Sequence, residues 1–160
     1  MMLLLLNKNH TMQSCGSSGD QLNYYYKGNK LIGVNDDAED NHIISNFSDN
    51  GHKFVPDDNP ETQEYFYDDN GNMTRDINKG IEHIEYNFLN LPKTIEFENG
   101  DYIIYYYDAS GIKLRKEIYH NNELITNIDY ICNTVYKNNK LDFILTEEGR
   151  IKKLENNSFR

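Results

Sequence analysis

The sequence predicts an all-β protein: serial antiparallel β-hairpins forming an open, curved and twisted sheet. Three observations predict it. The first is composition: the chain holds 13 Tyr and 7 Phe, and Asn recurs beside Gly. Tyr suits a pleated, half-buried surface, with its ring packed and its hydroxyl wet. Asn and Gly tolerate the positive φ values of tight turns. The second is repetition. An aromatic strand, a Tyr-Asp or Tyr-Asn step, a Gly/Asn turn and a second strand recur at Tyr67-Asp68, Tyr86-Asn87 and Tyr107-Asp108, in steps of 19 and 21 residues. A degenerate copy follows 23 residues on, at Tyr130-Ile131. Self-similarity at about 20 residues marks an array whose units lean on their neighbours. The third is the lack of any window with sustained helical periodicity.

Taken in order, residues 1–20 read as a flexible leader ending in Gly16-Ser17-Ser18-Gly19-Asp20. Residues 21–36 read as a first hairpin, with Leu22–Tyr26 and Lys30–Val34 flanking Lys27-Gly28-Asn29. Residues 37–63 read as an acidic connection whose strong apolar sites are Ile43-Ile44 and Phe47. The hairpin array then occupies 64–154. Strand 64–68 turns at Asp69-Asn70-Gly71 into 72–76, and Asn78-Lys79-Gly80 turns into 81–87. Leu89-Asn90-Leu91-Pro92 leads into 93–98. Asn99-Gly100, between Thr94–Glu98 and Tyr102–Tyr107, is the strongest local signal and predicts a type I′ turn. Ser110-Gly111, Asn121-Asn122, Asn138-Asn139 and Glu148-Gly149 mark the remaining turns, and 155–160 is a frayed tail.

Charge narrows the function classes. The net charge is −10, from 26 acidic and 16 basic residues. Nucleic acid rewards Lys and Arg on phosphates, and anionic membranes do the same, so neither is an expected partner. The apolar start, Met1–Leu6, is broken by Asn7-Lys8-Asn9-His10 before a signal-peptide core or membrane span forms. Ser14-Cys15-Gly16 carries only a faint lipoprotein-like pattern. Cys15 and Cys132 form no C-x-x-C and leave the redox compartment open.

No constellation reads as chemistry. In an EF-hand register with Gly71 sixth, Asp68–Asn72 would put Phe66 first and Ile77 twelfth, and neither ligates calcium. His10, His42, His52, His83 and His120 show no metal-ligand spacing. Glycines stand singly at turns, so no phosphate loop is present. The expectation is a protein without catalytic, cofactor or metal residues.

Tyr-Asp, Gly71-Asn72-Met73-Thr74-Arg75-Asp76, Leu91-Pro92 and Tyr107-Asp108-Ala109-Ser110-Gly111-Ile112-Lys113-Leu114 carry a family resemblance. The chain resembles a segment of an RHS (rearrangement hotspot), or YD-repeat, protein of the Bacteroidota type. The match is close over residues 63–116 and looser over 22–36 and 118–152. The resemblance implies a β-hairpin ribbon spiralling into a hollow shell, secreted or at the cell surface, that encloses a C-terminal polymorphic toxin. It also implies partners: further YD repeats or a core domain of the same or a neighbouring chain, and a toxin domain. The Asp-rich core signature that cuts the toxin free is absent before Arg160, so its catalytic residues map to no position here. What maps is structural: Tyr67, Asp68, Gly71, Asn72, Tyr86, Asn87, Asn99, Gly100, Tyr107, Asp108 and Gly111.

On this reading each repeat Tyr packs between hairpins, and the following Asp or Asn accepts backbone N–H bonds. The alternative is a binding module whose exposed Tyr stripes stack on carbohydrate or protein. Tyr25, Tyr67, Tyr86 and Tyr107 separate the two: buried between strands for the shell, exposed and coplanar for binding.

Overall fold

The structure, a computed structural model, describes residues 5–11, 21–36, 53–55 and 62–152. Within them are thirteen strands: β1 (Leu5–Thr11), β2 (Gln21–Lys27), β3 (Lys30–Asp36), β4 (Tyr65–Tyr67), β5 (Met73–Asp76), β6 (Ile81–Tyr86), β7 (Pro92–Phe97), β8 (Tyr102–Tyr107), β9 (Lys113–His120), β10 (Glu123–Ile131), β11 (Thr134–Lys137), β12 (Lys140–Thr146) and β13 (Gly149–Lys152). No described residue is in an α-helix. β1 to β3 form one sheet in chain order, and β4 to β13 form a ten-stranded antiparallel sheet, also in chain order and not closed. The fold class is therefore all-β, from serial hairpins. Ser14-Cys15-Gly16, Ile43-Ile44, Phe47, His42, His52 and the 155–160 tail lie outside the described residues.

Contacts divide the chain into two compact units, residues 1–82 and 83–160, with the boundary inside β6. The sequence reading placed its boundary earlier, at residue 63/64, because the repeat pattern starts there. Glu64, at the start of that pattern, bonds to β3 through its N–H and its carboxylate.

In the first unit β1 lies beside β2, from Leu5 opposite Lys27 to Thr11 opposite Gln21. This corrects the flexible leader over part of its length. Seven residues of mixed polarity carry little strand signal alone, but an open β2 edge supplies ladder partners. The β2–β3 turn is Gly28-Asn29, with Gly28 at φ +66°. A bulge follows: Tyr25 faces Gly33 and Tyr26 faces Leu31, leaving Ile32 extra.

That unit's core is small and partly polar. Ile32, Val34, Phe54, Tyr65 and Ile81 are its buried hydrophobic residues, with Asn35, Glu64 and Asp76 buried among the polar ones. Phe54 comes from the stretch read as acidic connection. Its ring lies on Gly33, where a Cβ would fall 2.2 Å from Phe54 Cγ. Tyr25 packs against the same ring at 5.0 Å. Asn35 then matches the Phe54 backbone like a neighbouring strand: its Oδ1 accepts Phe54 N–H at 2.7 Å, and its Nδ2 donates to Phe54 O at 2.9 Å. Glu64 acts similarly on the other side. Its N–H donates to Ile32 O (2.9 Å), and its Oε2 accepts Val34 N–H (2.8 Å) and Asn78 Nδ2–H (2.9 Å). Buried polar groups persist only when bonded in this way.

In the second unit the strands run as a meander. Ile84 and Val135 are its buried hydrophobic residues, and Glu117 its buried carboxylate. Many apolar side chains stay exposed instead, Phe88, Ile112, Ile125 and Ile131 most of all. Register sorts the rest onto two faces, since alternate residues point to opposite sides. Tyr102 pairs with Tyr119, and their rings stack at 4.6 Å. On that face Glu117 Oε2 accepts the hydroxyls of Tyr106 (2.9 Å) and Tyr119 (3.0 Å). Beside it Arg115 Nε donates to Asp129 Oδ1 at 2.6 Å. Tyr105 lies on the opposite face, opposite Lys116.

The turn at Asn99-Gly100 corrects a prediction. A type I′ turn needs positive φ at both central residues. Here Gly100 is at φ +82° while Asn99 is not in the positive region. Glu98-Asn99-Gly100 forms a three-residue loop, because Asn99 Oδ1 accepts Asp101 N–H at 3.0 Å and draws the chain into an Asx turn. The pairs with both φ positive are Asn121-Asn122 (50° and 65°) and Asn138-Asn139 (50° and 62°). The last turn is centred on Glu147-Glu148, with Thr146 opposite Gly149.

Candidate functional site

The Tyr-Asp and Tyr-Asn steps build one device three times. At Asp68 the N–H donates to Asn72 O (2.9 Å), and the C=O accepts Gly71 N–H (3.1 Å). At Asn87 the same bonds run to Leu91 O (2.9 Å) and from Asn90 N–H (3.0 Å). At Asp108 they run to Ile112 O (2.9 Å) and from Gly111 N–H (3.1 Å). In each copy the side-chain Oδ1 accepts the N–H four residues on: Asn72 at 2.8 Å, Leu91 at 3.0 Å and Ile112 at 2.9 Å. The fourth residue has positive φ: Gly71 +86°, Asn90 +56° and Gly111 +88°. A three-residue hairpin loop with a left-handed last residue gives this geometry. An Asx carboxyl or amide at its entrance closes the ring.

Sequence reasoning missed a further copy of the backbone form. Phe97 N–H donates to Asp101 O (2.9 Å) and Gly100 N–H to Phe97 O (2.9 Å). Phe97 has no side-chain acceptor, so Asn99 supplies one from inside the loop and also donates Nδ2–H to Asp101 Oδ2 at 3.0 Å. The available signal was a left-handed-tolerant residue three positions after the residue that opens each loop (Asp68, Asn87, Phe97, Asp108), rather than the Tyr-Asp pair.

Charge at these turns follows the bonds. Hydrogen bonds from the Asn72 side chain and then from backbone N–H groups hold the Asp68 carboxyl below the usual carboxylate range. The Ser110 hydroxyl, with Ile112 N–H, does the same for Asp108. Asn72 Nδ2 donates to Asp68 Oδ2 at 2.9 Å, which gives that repeat residue its role.

The repeat tyrosines are anchors. Tyr107 donates its hydroxyl to Pro92 O at 2.9 Å, tying β8 back to the start of β7. Tyr67 lies under Lys30 Nζ, 5.5 Å from its ring centre, and burial raises its phenol. Lys30 also reaches Asp68 O at 3.3 Å, so the β2–β3 turn braces the first repeat turn. Tyr25, Tyr67, Tyr86 and Tyr107 are all half-buried, neither enclosed nor presented as an exposed stripe. Tyr106 is the exposed tyrosine among the described residues, and Glu117 engages its hydroxyl. The second and third turns touch: a Cβ on Gly111 would stand 3.1 Å from Leu91 Cδ1 and 3.4 Å from Leu89 Cδ1.

Among the described residues no group of three or more His, Cys, Asp or Glu could hold a metal ion. Among the described residues no helix is long and apolar enough to cross a membrane. A shallow depression at the β12–β13 turn is lined by residues 146–151 alone, so it brings no distant side chains together. Comparisons with protein-family models, with curated proteins and with solved structures return no match.

Proposed function

We propose that this chain is a non-enzymatic structural segment of an RHS-type, YD-repeat shell, secreted or at the cell surface, of the kind that encloses a C-terminal toxin. The observation that carries the reading is the recurrence of one closed turn at residues 68–72, 87–91 and 108–112, each entered by a tyrosine and sealed by an Asx side chain. Contact between the second and third turns supports it, because units that brace each other sideways are what a repeat array requires. β13 pairs only with β12 among the described strands, so its outer edge is where a further hairpin adds. The partners on this reading are more repeats or a core domain, and the turns hold shape rather than perform chemistry.

Sequencing the DNA on both sides of this frame tests the proposal. The expected result is further Tyr-Asp repeats followed by a core region and a toxin frame. Neighbouring frames of unrelated type, with no repeats on either side, would overturn it.

A further inference from the structure

On the sheet face that carries Tyr105, two lysine ammonium groups lie near one tyrosine ring. Lys113 Nζ lies 4.6 Å from the centre of the Tyr105 ring and 5.8 Å from that of Tyr130. Lys116 Nζ lies 5.8 Å from the same Tyr105 centre. Register explains the meeting: Lys116 is opposite Tyr105 on β8 and opposite Ile128 on β10, while Lys113 is opposite Tyr107 at the bulge. Both lysines are half-buried. Among the described residues neither has a carboxylate within ion-pair distance, although Lys79, Lys93 and Arg115 each have one. The same face continues through Lys137, opposite Ile128, to Arg150, whose guanidinium lies 5.7 Å from the Phe143 ring.

Two like charges held around one ring in a chain of net charge −10 call for an anion. An ammonium is a compact point charge that seats one oxyanion at a time. Tyr105 is half-buried with lysine against its ring, which limits the surface it offers for stacking a base or a sugar.

We infer that the Lys113–Lys116–Tyr105–Tyr130 cluster is a carboxylate-binding site for an acidic polypeptide segment, with Lys137 and Arg150 extending the cationic track. The site stands independently of the shell reading, since it uses side chains of β8, β9 and β10 and not the hydrogen bonds of the turns.

The test is titration of the full chain with a hexa-aspartate peptide, followed by calorimetry and by tyrosine fluorescence, which no tryptophan obscures. Saturable binding is expected, weakened at least tenfold in the Lys113→Gln/Lys116→Gln double variant and unchanged in Lys27→Gln. The Lys113→Arg/Lys116→Arg variant, which keeps the charge, should retain binding within a few-fold, and circular dichroism confirms that each variant is folded. Competition by inorganic phosphate at millimolar concentration supports simple oxyanion seating. No binding at millimolar peptide, or equal binding by the folded glutamine variant, overturns the inference. Tighter binding of a single-stranded oligothymidylate of equal charge also overturns it and assigns the face to nucleic acid.

Discussion

Replacing Asn35 with alanine tests the polar core of the first unit. Asn35 is 2% exposed and Phe54 3% exposed, so neither has water to fall back on. The substitution removes both side-chain hydrogen bonds to Phe54, at 2.7 and 2.9 Å, and a longer one from Nδ2 to the Tyr25 hydroxyl at 3.4 Å. It also strands the Phe54 N–H and C=O in a dry setting, where an unmet backbone group costs roughly 1–3 kcal/mol. For the two stranded groups together the loss expected is about 2–6 kcal/mol. For a unit of this size, whose whole stability is on the order of 4–12 kcal/mol, that is enough to unfold or nearly unfold it. Urea denaturation followed by circular dichroism measures the loss, and hydrogen exchange at the Val34 and Phe54 amides locates it. Asn35→Asp sharpens the test. Its carboxylate can still accept from Phe54 N–H, but faces Phe54 O with a buried negative charge, so its folded pKa is raised. The neutral acid is the stable form: stability is full below about pH 4, the ordinary Asp range, and falls as pH rises through the raised value. A loss under about 1 kcal/mol in Asn35→Ala, with Phe54 still protected, would refute the reasoning.

Three further predictions follow from the turns and the phenols. Asp68 and Asp108 have folded pKa values below their unfolded ones, so their contribution is present above about pH 4 and is lost as pH falls through the folded values. The Asp68→Asn/Asp108→Asn variant keeps an Oδ1 acceptor at each turn, though not the Asp68 Oδ2 that accepts from Asn72, and should flatten the stability slope below about pH 4. An unchanged slope in denaturant titrations contradicts this. Gly71 and Gly111 share a left-handed φ, but only Gly111 has a neighbour where a Cβ would go. Gly71→Ala should destabilise by about 1 kcal/mol and Gly111→Ala by about 2 kcal/mol, the difference reporting Leu91. Equal thermal shifts would remove that contact from the account. Burial pushes the Tyr65 phenol up to about 12, against a hydrogen bond from Asn78 that lowers it. Stability from Tyr65 is full below about pH 10 and is lost as pH rises towards 12. Tyrosinate absorbance should therefore lose its latest-titrating component in Tyr65→Phe, and an unaltered alkaline titration would count against the assignment.

What the sequence determined by itself was local. A left-handed backbone position favours Gly or Asn, so Gly71, Asn90, Gly100, Gly111 and the Asn121-Asn122 and Asn138-Asn139 pairs announced most of the hairpins, while the β10–β11 turn, with Cys132 at φ +52°, carried no such signal. The Asx residues at strand ends were legible too, because their hydrogen bonds close within five residues. Finer turn chemistry was less so: Asn99-Gly100 reads as type I′, and the competing Asx turn to Asp101 decides otherwise. Tertiary structure decided whatever needed a distant partner. Glu64 and Asn35 look like ordinary surface residues in a polar chain, and become buried because Glu64 meets backbone groups of β3 and Asn35 meets those of Phe54. Phe54 looks isolated in an acidic stretch, and is placed by the space that Gly33 leaves for its ring. β1 exists because β2 offers an edge. A turn is selected by the torsional preferences of three or four consecutive residues. Burial of a carboxylate or an amide is selected by which backbone groups arrive opposite it, and no local pattern encodes that.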